Sequence, residues 1–285
     1  MVVLVTGGQG QLGQAIQSIA SNYINIQFVF CDSKELDITS IESVKNSFAK
    51  HKPEFCINTA AYTAVDLAET EVEKAFEINE KAVKNLALAC AKHKTVLLHV
   101  STDFVFDGNH NTPYFENHPT NPINVYGASK LAGEKVIPTV LDQFYIIRTS
   151  WVFSAFGKNF LNTMLRLSEQ KSEINVVNDQ FGCPTHALDL AKALMNIIEK
   201  TANKDVQNQF GIYHFSNKTA TNWFEFAKKI MEVYHKSCVV HPIPTTSYPT
   251  PAKRPKYSVM NTSKFENTFQ INIQSWEEAL IGFKN

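Results

Sequence analysis

A tyrosine and a lysine four residues apart, Tyr126 and Lys130 in the segment YGASK, are residues whose types and spacing could do chemistry. Residues i and i+4 are neighbours on one face of a helix, so the two side chains can reach the same place. A free tyrosine has a pKa near ~10 and is a poor acid–base group at neutral pH unless a cation stabilises its phenolate. Lys130 could supply that cation, although the same spacing is common on helices that only pack.

A polar segment about 24 residues upstream strengthens this interpretation. Ser101, Thr102 and Asp103 end an apolar run in VSTDFVFDG. Open α/β sheets place ligands at the carboxyl ends of their strands, so these side chains are expected to meet substrate hydroxyls or carbonyls. Thr102 could hold a substrate oxygen beside the phenol of Tyr126, so that proton delivery and carbonyl polarisation act on one atom. A polar strand end with Asp103 in a turn is the alternative.

A glycine-rich turn precedes both segments. Gly7, Gly10 and Gly13 in TGGQGQLG follow a first apolar run and open a helix-like stretch, which is typical of a turn that binds the pyrophosphate of a dinucleotide. Asp32 ends the next apolar run and could accept a hydrogen bond from an adenosine ribose hydroxyl, which favours NADH. The two residues after it, serine and lysine, could still accommodate the phosphate of NADPH, so the choice between the cofactors stays open.

The elements that must position these residues show in the hydropathy pattern. Five apolar runs alternate with amphipathic, helix-like stretches: VVLVTG, IQFVFCD, EFCINTAA, TVLLHVST and FYIIRTS. Nearly continuous apolar runs suit strands covered on both faces, so the pattern predicts an α/β fold with a Rossmann-like, doubly wound parallel sheet. We expect a dinucleotide-binding domain over residues 1–150 and a smaller, mainly substrate-binding region over 151–285, with segments returning to the sheet. The proline-rich residues 241–255 predict a loop.

Composition narrows the class of protein. Among 285 residues, Lys plus Arg and Asp plus Glu both number 27 and form no long runs, which argues against a nucleic-acid or anionic-membrane partner and favours a small molecule. The five cysteines are odd in number and scattered, so they predict reduced, packed thiols and no zinc site. No segment approaches the ~18 apolar residues of a membrane span, and a cytoplasmic location is expected.

The motifs together resemble the extended short-chain dehydrogenase/reductase superfamily and, within it, the family of dTDP-4-dehydrorhamnose reductases. The matching segments cover nearly the whole chain: GGQGQLG, INTAAYTAVDLAE, STDFVFDG, NPINVYGASKLAGE, IIRTSWVFSAFGKNF, VVNDQFGCPT, GIYHFSN and YPTPAKRP. The resemblance implies an oxidoreductase that uses NADPH or NADH to reduce the C4 ketone of dTDP-4-dehydro-L-rhamnose. The product would be dTDP-L-rhamnose for cell-surface polysaccharide.

The resemblance also implies roles for individual residues. Tyr126 would be the proton donor and Lys130 would contact the nicotinamide ribose. Other residues would bind the cofactor: Gly10, Gln11 and Leu12 at the pyrophosphate, Asp32, Asp37 and Ile38 at the adenosine half, and Ala61, Tyr62, Thr63 and Val100 near the nicotinamide. The sugar nucleotide would be contacted by Thr102, Asp103, Trp151, Thr63 and Val65, and its diphosphate by Arg254.

Several alternatives remain beside these roles. Trp151 could be a half-buried core aromatic, Arg254 a solvated loop residue, and Thr63 with Val65 a plain helix entry. His99, inside an apolar run, is expected to satisfy a core hydrogen bond, and no histidine is assigned a catalytic role. The resemblance further implies possible dimers and magnesium dependence in some members, but no carboxylate cluster has metal-ligand spacing, so no metal ligand is assigned.

Two other functions fit the same pattern. A non-catalytic binding subunit is one, because the reductase fold resembles the regulatory subunit of methionine adenosyltransferase. A reductase or epimerase of a related nucleotide-deoxysugar is the other, because a 4-epimerase needs the same tyrosine and lysine. A sugar-nucleotide dehydratase is disfavoured: its strand-end threonine is followed by Asp-Glu, whereas Asp103 and Phe104 follow it in this sequence, so the glutamate base is missing.

Overall fold

A six-stranded parallel sheet forms the centre of the protein in the computed structural model, which describes residues 1–284. The strands lie in the order β2-β1-β3-β4-β5-β10, and every neighbouring pair is parallel. The prediction of a doubly wound α/β fold is confirmed. The sheet strands are β1 Val2–Thr6, β2 Gln27–Cys31, β3 Phe55–Asn58, β4 Val96–Thr102, β5 Phe144–Thr149 and β10 Gly211–His214.

Helices cover both faces of this sheet because successive strand residues point to opposite sides. Val3 and Val5 pack under α1, α8 and α10, whereas Leu4 packs under α2 and α5. The helices are α1 Gln11–Ile19, α2 Ile41–His51, α3 Val65–Ala68, α4 Val72–Phe76, α5 Ala82–His93, α6 Val125–Val136, α7 Phe160–Gln170, α8 Ala187–Ala202, α9 Trp223–Val233, α10 Ser263–Phe269 and α11 Trp276–Lys284.

The strand order reverses between β1 and β3, since the chain builds outward from β1 in both directions. Ligands of open α/β sheets bind in the crevice outside the carboxyl ends of the strands at such a reversal. Thr6 ends β1, Asn58 ends β3 and Thr102 ends β4, so all three lie at that crevice. The topology therefore places a ligand site where the glycine-rich turn and the VST segment meet.

A second apolar cluster holds the C-terminal region together. Leu161 and Met164 of α7 pack with Phe226 and Ile230 of α9 and with Trp276 of α11. The small strands here form three two-stranded pairs: β6 Val152–Phe153 with β9 Thr185–His186, β7 Glu173–Val177 with β12 Val239–Ile243, and β8 Phe181–Gly182 with β11 Thr221–Asn222. The chain also returns to the main sheet through β10, which pairs with β5.

The proline-rich segment is only partly the predicted loop. Its first residues, His241–Ile243, belong to β12, and a short 3₁₀ turn follows at Thr245–Ser247. A strand that pairs on one side only leaves the other edge free, so Pro242 is tolerated there. All five cysteines are free and buried, as predicted. Within residues 1–284, no helix is long and apolar enough to cross a membrane.

Candidate active site

A cavity of about 1330 Å³ runs along the carboxyl ends of the central strands and on beneath the C-terminal region. Single small-molecule sites are usually ~300–1,000 Å³, so this volume has room for more than one ligand. Most of the residues assigned from the sequence lie on its wall. They are Gly7, Gly10, Gln11, Leu12, Ala61, Thr63, Val65, Val100, Thr102, Asp103, Tyr126, Lys130, Trp151 and Arg254.

The glycine-rich turn at one end of the cavity fits a dinucleotide pyrophosphate. Gly7 has φ +67°, and a Cβ there would lie 2.8 Å from the amide nitrogen of Ala60. A Cβ on Gly13 would lie 2.5 Å from the carbonyl oxygen of Gly7, so Gly13 serves the packing of helix on turn and does not line the cavity. Helix α1 begins after Gly10 with no side-chain cap, which leaves its first N–H groups free for an anion.

Four residues assigned to the cofactor have side chains engaged elsewhere, and they do not line the cavity. Asp32 accepts hydrogen bonds from the amides of Lys34 and Glu35 at 2.8 and 3.1 Å, which is the arrangement of a turn at the end of a strand. Asp37 is exposed and accepts two hydrogen bonds from Thr39. The other two are buried in apolar clusters: Ile38 against the sheet and Tyr62 beneath Tyr126.

Helix α6 carries Tyr126 and Lys130 to the middle of the cavity. Its N-cap residue, Asn124, accepts a hydrogen bond from the Gly127 amide at 2.7 Å, and Asn124 Nδ2 donates to the carbonyl of Lys253. A Cβ on Gly127 would overlap the carbonyl oxygen of Phe104, so only glycine allows α6 to lie this close to the end of β4. The cap and the glycine together fix Tyr126 beside Thr102.

The protonation of the pair follows from burial. Desolvation raises the pKa of Tyr126 to about 12, opposed by a hydrogen bond from Thr102. Desolvation lowers the pKa of Lys130 to about 8, opposed by the charge of Glu134. In the free protein Tyr126 is therefore a protonated phenol, suited to give a proton. Of the two neighbours that act on the pKa of Tyr126, the Thr102 hydroxyl lowers it and the charge of Asp103 raises it.

Asp103 lies beside this pair and is almost completely buried. Desolvation raises its pKa to about 6, although Ser258, Thr102 and the local backbone favour the ionised form. Thr102 donates to Asp103 Oδ1 at 3.1 Å, whereas Oδ2 has no hydrogen-bond partner within the part of the chain that the structure describes. A buried oxygen without a hydrogen-bond partner is uncommon, and it calls for an explanation in terms of the site.

A buried ion pair supports α6 from behind. Arg148 of β5 contacts both carboxylate oxygens of Glu134, with its Nη2 2.7 Å from Oε2. Ser101 donates a further hydrogen bond to Oε1, and the Arg148 guanidinium lies 5.1 Å from the ring centre of Phe106. The sequence did not reveal this pair, because its members come from α6 and β5 and meet only in the fold.

Asn79 is another positioning residue that the sequence analysis missed. It lies in a turn of π-helix, Glu77–Lys81, between α4 and α5. Its amide group exchanges hydrogen bonds with the backbone of Tyr62 and donates to the hydroxyl of Ser129 on α6. π-Turns inside helices are frequent at functional sites, and this one ties the loop after β3 to the tyrosine helix.

Trp151 forms the cavity wall on the side of the C-terminal region. Its backbone is left-handed, with φ +48°, and its indole stacks on Trp223 with ring centres 3.5 Å apart. A Cβ on Gly182 would lie 2.6 Å from the Trp151 ring, so glycine is required there. Trp223 was not assigned from the sequence, because its role depends on a contact with Trp151 that is 72 positions away in the chain.

Arg254 lies at the rim of the cavity, but its guanidinium is already paired. Nη1 and Nη2 contact the two carboxylate oxygens of Asp66 at 2.7 and 2.8 Å, and Nη1 also donates to the carbonyl of Ala252. The guanidinium in turn lowers the pKa of Asp66. Arg254 is thus not the solvated loop residue of the alternative interpretation: it joins the loop before α10 to α3 at the cavity rim.

No metal site accompanies this cavity in the described part of the chain. Residues 1–284 contain no group of three or more His, Cys, Asp or Glu side chains that could hold an ion. The residues present therefore do not fit a magnesium ion held by a single chain, and no chemical step is assigned to one.

The sequence is similar to known proteins over nearly the whole chain. The family model of the RmlD substrate binding domain matches residues 1–284. The chain is 39% identical to the dTDP-4-dehydrorhamnose reductase of Aggregatibacter actinomycetemcomitans, over 98% of this chain and 96% of that protein.

Two solved structures are similar over nearly the whole chain. The dTDP-4-dehydrorhamnose reductase of Clostridium acetobutylicum has a TM-score of 0.94 and 36% identity, over 100% of this chain and 98% of that one. The Bacillus anthracis reductase, solved in complex with NADP, has a TM-score of 0.94 and 38% identity, over 99% and 98%.

Proposed function

Since the chain belongs to the RmlD family of dTDP-4-dehydrorhamnose reductases, we propose that it reduces the C4 ketone of dTDP-4-dehydro-L-rhamnose to dTDP-L-rhamnose. The reductant is NADPH or NADH. One observation carries the proposal: Tyr126 and Thr102 lie side by side in a cavity that reaches the glycine-rich turn at one end and Trp151 at the other. That arrangement suits a ketone held between a cofactor and an apolar wall.

The cofactor half of the cavity is built from backbone groups. When bound, a reduced nicotinamide cofactor supplies the hydride. The free N–H groups at the start of α1 suit its pyrophosphate, and Gly7 and Gly10 keep the approach open. Lys130, held through its Nζ by the carbonyl oxygen of Val100 at 2.8 Å, is placed to hydrogen-bond a ribose hydroxyl.

Tyr126 is the proton donor in this proposal. Reduction of a ketone leaves a developing alkoxide, which needs a proton from a group within hydrogen-bond reach. The raised pKa of Tyr126 keeps the phenol protonated in the free protein. The Thr102 hydroxyl lies beside Tyr126, and it stabilises the substrate C4 oxygen by a hydrogen bond as negative charge develops on that oxygen. A positive charge on Lys130, close by on the same helix face, then favours the phenolate that remains.

The sugar nucleotide lies on the opposite side of Tyr126 from the cofactor. Asp103 and Trp151, both on the cavity wall, contact the sugar in this proposal, and the Trp151 ring offers an apolar surface with one N–H donor. Thr63 and Val65 also line the cavity and are assigned to the sugar. Arg254 meets the diphosphate only if its pair with Asp66 opens or shares the guanidinium, since both terminal nitrogens already contact that carboxylate.

Three further points belong to the proposal. The protein acts in the cytoplasm, it is compatible with a homodimer, and its product serves cell-surface polysaccharide. The choice between NADH and NADPH stays open in this proposal, because the Asp32 carboxylate that would favour a ribose hydroxyl is held in a turn by the amides of Lys34 and Glu35.

The direct test mixes purified protein with NADPH or NADH and candidate dTDP-ketosugars, follows the nicotinamide absorbance, and identifies the sugar product. Oxidation of the cofactor with formation of dTDP-L-rhamnose is expected. Turnover with a different ketosugar alone would assign a neighbouring reductase, and epimerisation without net cofactor oxidation would assign an epimerase. No turnover with any ketosugar would favour the non-catalytic binding subunit.

A further inference from the structure

A row of buried polar side chains crosses the central sheet directly beneath Lys130. Thr6 of β1, Asn58 of β3 and His99 of β4 are register neighbours, so their side chains share one face of the sheet. Each is at most 1% exposed, and the strand residues two positions before them, Leu4, Cys56 and Leu97, are apolar. Burying three polar groups is costly unless every one is hydrogen-bonded, so the row calls for a reason.

The row ends at the amine of Lys130. Thr6 Oγ1 donates to Asn58 Oδ1 at 2.6 Å, Asn58 Nδ2 lies 3.0 Å from His99 Nδ1, and His99 Nε2 lies 3.4 Å from Lys130 Nζ. Lys130 also donates to the carbonyl oxygen of Val100. His99 therefore does more than satisfy a core hydrogen bond, the role expected from the sequence: it is the side chain that joins the sheet to the catalytic lysine.

The direction of these hydrogen bonds fixes where the imidazole proton lies. Because Asn58 Oδ1 receives the Thr6 hydroxyl, the Asn58 amide nitrogen faces His99 and can only donate. A neutral imidazole that accepts at Nδ1 carries its proton on Nε2, facing Lys130. Only an uncharged amine can accept that proton, since an ammonium group has no lone pair. This arrangement therefore matches neutral Lys130.

A half-turn of the Asn58 amide reverses the row without moving its other heavy atoms. The amide oxygen then accepts from His99 Nδ1–H, and the bare Nε2 accepts from the Lys130 ammonium. Burial and the Lys130 charge both lower the pKa of His99 well below its ordinary value, so the ring stays neutral in both arrangements. The tautomer with its proton on Nε2 therefore hydrogen-bonds the neutral Lys130 amine, and the tautomer with its proton on Nδ1 hydrogen-bonds the Lys130 ammonium.

We propose that His99 is a positioning residue for Lys130, with a tautomer that changes with the charge of the amine and keeps Nζ hydrogen-bonded in both states. The inference rests on the role of Lys130 in the proposed function. The lysine pKa of about 8 places the change near that pH. The ionisable groups on the elements around the amine are Tyr126 and Glu134 on α6, His99 on β4, Asp103 after β4, and Arg148 on β5, which pairs with Glu134.

Nitrogen-15 NMR of the histidine rings tests this without any turnover. His99, assigned by the signals missing from His99→Gln, is expected to stay neutral from about pH 6.5 to about pH 9.5 and to move its proton from Nδ1 to Nε2 as Lys130 loses its charge. In Lys130→Met one tautomer should persist throughout. A wild-type tautomer that never changes, or one that changes equally in Lys130→Met, would overturn the proposal.

The pH dependence of kcat gives a second readout. In His99→Leu the ammonium loses a charge-assisted hydrogen bond and the neutral amine a weaker one, so the alkaline limb should move to lower pH by about one unit. His99→Gln, which retains an acceptor, should restore most of the shift. His186→Gln, a buried histidine off the cavity wall, should leave the limb in place. An alkaline limb at the wild-type pH in His99→Leu would contradict the proposal. If the protein shows no ketosugar turnover, the proposed function fails, and the NMR experiment still tests the role of His99.

Discussion

The indole rings of Trp151 and Trp223 stack with their centres 3.5 Å apart and their planes within 10° of parallel. Trp151 follows β5 and Trp223 opens α9, so the contact joins the end of the central sheet to the C-terminal region. Trp151 has a backbone φ of +48°, a left-handed conformation that residues other than glycine rarely adopt because it is strained. The stack with Trp223 helps to hold the Trp151 ring in place despite this strain.

Replacement of Trp223 should loosen Trp151 without touching the cofactor half. For Trp223→Ala we expect the near-ultraviolet circular dichroism of the stacked pair to disappear and the KM for the sugar nucleotide to rise about fivefold, the effect of losing ~1 kcal/mol of aromatic stacking. The KM for the cofactor should not change. Trp276→Phe is the control, because Trp276 is buried elsewhere and its Nε1 has no partner within residues 1–284. Loss of the paired signal in that control would contradict the assignment.

A single methyl group should displace the same ring from the other side. In Gly182→Ala the new Cβ would lie within 2.9 Å of three ring atoms of Trp151, so the indole must move. We expect a raised KM for the sugar nucleotide and altered tryptophan fluorescence. Gly282→Ala has open space around its Cβ and serves as the control. Equal kinetic constants for Gly182→Ala and the wild type would show that Trp151 does not contact the sugar.

The ion pair behind α6 should matter mainly to stability. Glu134→Gln leaves the Arg148 guanidinium charged, buried and without its carboxylate, so the free energy of unfolding should fall by about 3–5 kcal/mol. Denaturant unfolding measures the loss. The control is Glu225→Gln, whose partner Lys228 is half-exposed, and it should cost no more than ~1 kcal/mol. Similar losses for the two variants would contradict the interpretation of the buried pair.

The buried carboxyl of Asp103 should make stability depend on pH. Its pKa rises from 3.8 to about 6 on folding, so between those values the native state holds a proton that the unfolded state releases, and stability falls as pH rises. The loss is complete above about pH 6 and amounts to about 3 kcal/mol. Because Asp103→Asn lacks this loss, its stability relative to wild type should increase by about that amount between about pH 4 and about pH 7. The same difference in unfolding free energy between Asp103→Asn and wild type at pH 4 and at pH 7 would refute the raised pKa of Asp103.

The sequence could predict the central sheet because its strands are apolar runs, and it could predict the glycine-rich turn because only glycine permits its close contacts. Residues assigned to a ligand through their own motif, such as Thr102 and Tyr126, lie on the cavity wall. Roles that depend on a distant partner were not predictable. Gly182 and Trp223 matter through Trp151, and nothing local to either segment signals the contact.

Three residues assigned to ligands from the sequence show the same limit. Arg254 was assigned from its ability to bind phosphate, but its contact with Asp66 spans 188 positions and became visible only in the fold. Ile38 and Tyr62 carry the right sequence context, yet their side chains pack in apolar clusters. The π-turn at Asn79 could not be predicted, because the surrounding residues show ordinary helical periodicity.

The central claim, that Tyr126 gives the proton in ketosugar reduction, is tested most directly by Tyr126→Phe. We expect kcat for the reduction of dTDP-4-dehydro-L-rhamnose to fall by roughly 10²–10⁴-fold, the usual contribution of a positioned acid, with cofactor binding preserved. Tyr145→Phe, which removes a buried hydroxyl that bonds Thr201 away from the cavity, should retain its rate. Near-normal turnover by Tyr126→Phe, with dTDP-L-rhamnose as the product, would contradict the mechanism.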